Sequence, residues 1–247
     1  MKKSFLLIAL LLISMTICAQ KSVKVAAAAN LRSVFMEIKD KYEKENPGVK
    51  LDVTFGSSGN FVQQIMNGAS FDFFMAADKS FPLKLQSQGM TYGKVATYIY
   101  GKLAMWSNSI DVNKGVSVLK QDAVKRIAIA KPETAPYGER AVELLKKQGL
   151  FNDLQTKIIY GDNISAVAQY AFTGNAEVGF IALSLAMAPE MVGKGKCYVI
   201  PQNLYSPIEQ ACVLIKKPAR NLTAEKFMKY ILGNSCDKLW EKYGYSK

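Results

Sequence analysis

The sequence predicts an α/β protein made of two similar lobes, each organised around parallel βαβ units. Short apolar runs alternate with stretches of helical period through residues 22–89 and again through residues 126–190, the pattern of strands joined by crossover helices. Two long extended runs, near 95–106 and 198–215, lack a helical period and read as strands that cross between the lobes. Neither a Pro-, Gly- or Ser-rich linker nor a sequence repeat relates the halves. The expected division is a leader over 1–20, a first lobe over 21–98, a second over 99–203, and a return to the first over 204–247.

Residues 1–20 have the form of a secretory signal: Lys2 and Lys3, an apolar centre from Phe5 to Ile13, and a more polar end at Thr16 to Gln20. The centre is too short to span a bilayer. Cleavage after Ala19 or Gln20 is expected, giving an exported, periplasmic protein. In the lesser reading Cys18 is lipid-anchored, but Ile17 stands where such sites carry a small residue.

The first lobe opens with Val23-Lys24-Val25 running into Ala26–Ala29, a buried strand whose small residues allow close approach to its backbone. From Asn30 the period becomes helical, with Leu31, Val34, Phe35, Ile38 and Tyr42 on one face; Asn30 is the expected N-cap and Asn46-Pro47-Gly48 the stop. The strand Leu51–Phe55, the loop Gly56-Ser57-Ser58-Gly59-Asn60 and a helix from Phe61 follow, then the apolar run Phe71–Ala77 and a helix from Ser80. In the second lobe, strands at 126–130, 157–160 and 177–182 lead into helices beginning near Glu139, Ile164 and Ser184. A capped helix, with Asn221 or Thr223 as cap, and a helix over 235–243 close the chain.

Composition narrows the chemistry. The chain has no histidine, which removes Ser-His-Asp and Cys-His nucleophiles and imidazole zinc sites. Its net charge of +12 suits an anionic partner, but the lysines are scattered and no basic-aromatic run marks a nucleic-acid surface. Cys197, Cys212 and Cys236 show no metal-ligand spacing; one disulfide through Cys212 and three buried thiols both remain open.

Four strand-to-helix junctions share one property: Ala29-Asn30, Gly56–Gly59, Pro136-Tyr137-Gly138 and Asn163-Ile164. Each offers unpaired backbone N–H groups at a helix start, where the helix dipole favours an anion. Any one of them is more simply a cap or a turn. All four, however, fall at carboxyl ends of strands, where open α/β sheets bind ligands. The loops of the first lobe carry no Lys or Arg, so the donors are neutral and suit a fully deprotonated oxyanion.

These segments also resemble a known family. Val-Ala-Ala-Ala-Ala-Asn at 25–30, Phe-Gly-Ser-Ser-Gly-Asn at 55–60, Gln63-Gln64-Ile65, Asp72-Phe73-Phe74 with Ala77-Asp78, Pro136-Tyr137-Gly138 and the closing Lys242-Tyr243-Gly244 are similar to the molybdate-binding proteins of bacterial ABC importers, the ModA family. The resemblance implies a type II periplasmic binding-protein fold, with a ligand cleft between lobes that close on molybdate or tungstate. It implies delivery to an importer permease and its ATPase by a monomeric protein that is not an enzyme, needs no cofactor and binds no nucleic acid.

The family's contacts fall on Asn30, Ser58 and the N–H groups of Tyr137 and Ile164. Many members carry Ser in place of Asn30 and Tyr in place of Ala182; here the N–H of Ala29 and the Asn30 amide are expected to replace that Tyr hydroxyl. Direct ligation of the metal by a carboxylate would have only Glu133 or Asp162 to draw on. Other readings are a binder of sulfate, thiosulfate or a phosphonate, an exported enzyme acting on a phosphorylated or sulfated substrate, and a basic adhesion or nucleic-acid module.

Overall fold

The computed structural model describes residues 21–247; the leader and Cys18 lie outside them. The chain forms two five-stranded mixed sheets of matching design. In the first, β1 (Lys21–Ala28) pairs in parallel with β2 (Val49–Gly56) and β3 (Phe73–Ala76), while β10 (Ile208–Ile215) runs antiparallel between β3 and β4 (Thr91–Gly101). In the second, β6 (Ile127–Ala130) pairs in parallel with β7 (Ile158–Gly161) and β8 (Val178–Ala182), and β5 (Leu103–Ser107) runs antiparallel between β8 and β9 (Lys196–Val199). The strand orders are β2-β1-β3-β10-β4 and β7-β6-β8-β5-β9. The run near 95–106 therefore changes sheet at Lys102, and the run near 198–215 changes back between β9 and β10.

The inner strands are covered on both faces. Every residue of β3, β6 and β8 is buried, as expected where crossover helices pack on both sides of a sheet. Helix α1 (Arg32–Glu45) buries Val34, Phe35, Ile38 and Tyr42, the stripe its period predicts. Helices α2 (Ser58–Met66), α3 (Ser80–Ser87), α4 (Pro136–Lys147), α5 (Phe151–Leu154), α6 (Ile164–Phe172) and α7 (Leu183–Ala186) follow in order.

After β10 come α8 (Leu222–Leu232), capped by Asn221, and α9 (Asp237–Lys242). Phe227 of α8 meets Phe35 and Phe73 edge-on, at centroid distances of 5.9 and 5.7 Å. Each such pair adds about 0.5–1.5 kcal/mol beyond its buried area, and together they fasten the end of the chain to the first sheet.

All three described cysteines are free thiols; Cys212 and Cys236 are buried, as the thiol alternative expects, while Cys197 is only half-buried. Burial pushes Cys197 up to about 11 and Cys236 up to about 12, so neither forms the reactive thiolate at neutral pH.

Candidate functional site

The order 2-1-3 around β1 places a topological switch point at its carboxyl end, and the order 7-6-8 does the same for β6. The four junctions leave these strands and their neighbours and meet between the two sheets. They line a small, partly open cavity of about 10 Å³, bounded by Ala28, Ala29, Asn30, Gly56, Ser57, Ser58, Ala77, Ala135, Pro136, Tyr137 and Ile164. A pocket for a drug-sized molecule measures roughly 300–1,000 Å³, so this space, about what one water needs, excludes any large ligand. Ala29, Asn30, Ser58, Tyr137 and Ile164, the five residues singled out from sequence, all lie in its wall and are at most 4 % exposed.

Donors surround it. Ser58 is the first residue of α2, and its Oγ accepts a hydrogen bond from the N–H of Ala77 at 3.0 Å, which leaves the hydroxyl hydrogen free to donate. On the other side, Asn163 caps α6 by accepting from Ser165 and Ala166 at 3.0 and 3.1 Å, and Ile164 keeps its own N–H. Pro136 opens α4 as its N1 residue, while Gly138 and Glu139 both donate to the Ala135 carbonyl. Among the described residues the N–H groups of Ser58, Tyr137 and Ile164 have no protein acceptor.

Contacts between the two halves close the cavity. Gly59 N–H donates to Thr134 O at 2.9 Å, Ser165 Oγ to Ala29 O at 3.0 Å and Ser184 Oγ to Asn30 O at 2.9 Å. Arg140 of α4 pairs with Asp78 at 3.1 Å, both side chains being mostly buried. No charged residue lines the cavity itself. A wider groove of about 230 Å³ opens nearby, but it presents Glu190 beside Arg32 and so offers an anion a mixed field.

Asn30 departs from its expected role. A 3-10 turn over Ala29–Leu31 precedes α1, whose N-cap is Leu31, so Asn30 does not cap the helix. Its Nδ2 instead donates to Gln210 Oε1 at 3.0 Å and to the Tyr245 hydroxyl at 2.9 Å. The reason is burial: with 1 % exposure, the amide must find buried partners, and strand β10 and the chain terminus supply them. The Tyr137 hydroxyl accepts from Gln210 Nε2 at 3.1 Å, which leaves its backbone as its contribution to the cavity.

Burial raises the titration of Tyr98, Tyr137 and Tyr245 well above the ordinary tyrosine value, so all three stay protonated and can donate at neutral pH. Neither Glu133 nor Asp162 lines the cavity; Asp162 pairs with Lys131 at the surface, at 2.5 Å. Among the described residues no cluster of three or more Cys, Asp or Glu side chains could hold a metal ion.

Ser57 is a cavity residue that sequence reasoning passed over. Its Oγ is buried and has no partner, although the pair Ser57-Ser58 had been visible in the loop. Gln210 was also missed, and its signal was a carboxamide inside the apolar run of β10.

Comparison with known proteins decides the family. Residues 23–246 match the model of the bacterial extracellular solute-binding proteins. The molybdate-binding protein ModA of Azotobacter vinelandii is 39% identical over 232 residues, covering 92% of each chain. The chain belongs to the ModA family of solute-binding proteins. ModA of Rhodobacter capsulatus is 38% identical over 224 residues, covering 89% of this chain and 86% of its own. The solved periplasmic molybdate-binding protein of Azotobacter vinelandii superposes with a TM-score of 0.86 at 31% identity, over 91% of this chain and 99% of that one.

Membership fixes the two-lobed type II binding-protein fold and places the chain among substrate-binding transport proteins rather than an enzyme family. Such proteins work outside the cytoplasm, and no described helix is long and apolar enough to cross a membrane. In this ModA-family chain Ala182 ends β8 without a hydroxyl, and the hydroxyls of Ser184 and Tyr245 surround Asn30 instead.

Proposed function

We propose that this protein captures molybdate, or its congener tungstate, outside the cytoplasm and delivers it to the permease and ATPase of an ABC importer. The observation that carries the reading is the small, charge-free cavity lined by neutral donors from both lobes. Such a wall stabilises a fully deprotonated tetrahedral oxyanion and offers no general acid or base to react with it. The names of the Azotobacter and Rhodobacter relatives supply the ligand class. In this reading Ser58 Oγ, the N–H groups of Tyr137 and Ile164, the Asn30 amide and the Ala29 N–H hold the oxygens, with no cofactor and no direct metal ligand.

The protein acts as a monomer in the periplasm, with lobes divided near 21–98 plus 204–247 and 99–203, except that β4 carries the first lobe on to Gly101. Lobe closure is the signal an importer would read, and Gly59 N–H, Ser165 Oγ and Ser184 Oγ bridge the lobes beside the cavity. Ser58→Ala is expected to weaken molybdate binding by about one to two powers of ten, through loss of one charge-assisted donor. Calorimetry on the variant checks it, and an unchanged Kd would remove Ser58 from the site.

A further inference from the structure

Asn30, in the cavity wall, and Gln210, behind it, form a pair of buried carboxamides. Around them stand the hydroxyls of Tyr98, Tyr137 and Tyr245, drawn from β4, α4 and the chain terminus. With the amides oriented as described, Asn30 Oδ1 is buried and has no partner. Gln210 Oε1 accepts from Asn30 at 3.0 Å and from Tyr98 at 3.2 Å, and Gln210 Nε2 donates to Tyr137 at 3.1 Å. That orientation also leaves one hydrogen of Gln210 Nε2 and the hydroxyl hydrogen of Tyr137 without acceptors.

Oxygen and nitrogen of a carboxamide are distinguished by their partners, not by their shape. If both amides exchange O for N, no heavy atom moves and the pairing closes. Gln210 Nε2 then donates to Asn30 Oδ1 and to Tyr98, whose own hydrogen goes to Ala76 O at 3.1 Å. Tyr137 donates to Gln210 Oε1, and Asn30 Oδ1 can accept from Tyr245 as well. Only one group is left with free hydrogens, the Asn30 NH₂. Gln210 and Tyr245 take up one side of that amide and neither lines the cavity, whereas Asn30 does, so the free NH₂ belongs to the cavity side.

We propose that Gln210 is a positioning residue: its carboxamide, itself oriented by Tyr137 and Tyr98, turns the Asn30 NH₂ toward the bound oxyanion. The inference rests on the proposed oxyanion function and deepens it. Orientation matters for ligand choice, because an inward carbonyl repels a dianion whereas an inward NH₂ donates to it. The site is built for this contact. A Cβ on Gly101 would lie 2.1 Å from the Tyr137 hydroxyl and 2.6 Å from Gln210 Nε2, so only glycine leaves room for the bond between them. Gly101 ends β4 one residue before the chain changes sheet, and Tyr137 belongs to the other lobe. The Gln210–Tyr137 bond thus forms across the lobes, and the orientation of Asn30 is coupled to closure.

The test is a double-mutant cycle of Gln210→Met and Asn30→Ala, read by calorimetry with sodium molybdate and by the melting temperature without ligand. Gln210→Met is expected to weaken binding about tenfold or more in the native background and less than about twofold beside Asn30→Ala, where no amide remains to orient. Because the two amides are hydrogen-bonded at 3.0 Å, their effects on the unliganded melting temperature are expected to be non-additive, so the coupling in affinity and not the melting temperature decides. Equal weakening in both, or none in either, would overturn the proposal.

Tyr137→Phe, which removes one hydroxyl and keeps the backbone donor, is a milder second variant; its few-fold loss should also vanish beside Asn30→Ala, and persistence there would likewise count against Gln210. If the native protein binds neither molybdate nor tungstate, the functional reading fails instead, and the cycle is repeated with sulfate. Absence of binding by any of the three ions removes both.

Discussion

Gly138→Ala is expected to cost the protein about 1–3 kcal/mol of stability and to weaken oxyanion binding by about ten- to a hundredfold. Gly138 is the third residue of α4, and a Cβ there would lie 1.9 Å from the Ala130 carbonyl oxygen and 2.6 Å from its carbon. Backbone conformation is not the obstacle, since its φ is not positive. The obstacle is space at the carboxyl end of β6, where the helix start sits directly on the strand. To relieve the contact α4 must withdraw, and the N–H of Tyr137 withdraws with it. Both losses therefore share one cause. Thermal melts and calorimetry on the variant check them, and a destabilised protein with native affinity would show that the α4 N-terminus is not part of the site.

A large thermal stabilisation by molybdate is the second expected result. A ligand bound only by the native state stabilises it by RT ln(1 + [L]/Kd), about 4.1 kcal/mol at a thousandfold excess over Kd. For a chain of this size each kcal/mol raises Tm by about 2–4 °C, so a rise of about 8–16 °C is expected. The cavity lies between the lobes and draws donors from both, which couples binding to the cohesion of the whole chain. A differential scanning measurement with and without molybdate checks it, and an unmoved transition at millimolar molybdate would contradict tight binding.

Most of the fold was legible because its signals are local. Alternating apolar strands and periodic helices marked both halves, and Asn46-Pro47-Gly48 and Gln148-Gly149 marked where helices stop. The half-sites were legible for the same reason, as each is a short loop between a strand and a helix. What could not be read were contacts between residues distant in sequence. Asn30 resembled a helix cap because caps are recognised from neighbouring residues, but its amide partners, Gln210 and Tyr245, lie 180 and 215 positions away. Ser57 and Ser58 are equivalent as sequence; only the Ala77 N–H, which engages one hydroxyl and not the other, separates them. The cysteines were undecided for a similar reason, since spacing alone does not reveal burial.

The neutral wall of the cavity also explains why net charge was a weak guide. The basic residues are scattered over the surface, whereas the proposed site presents only neutral dipoles and hydroxyls. Arg140, the charged group that comes near, is paired with Asp78 across the lobes and serves closure.

In the proposed function both lobes converge on one dianion of a particular size. Calorimetric titration with molybdate, repeated in excess sulfate, tests it most directly. One ion bound per chain is expected, with an affinity that excess sulfate lowers only slightly. Absence of binding, or molybdate displaced by an equal concentration of sulfate, would contradict it.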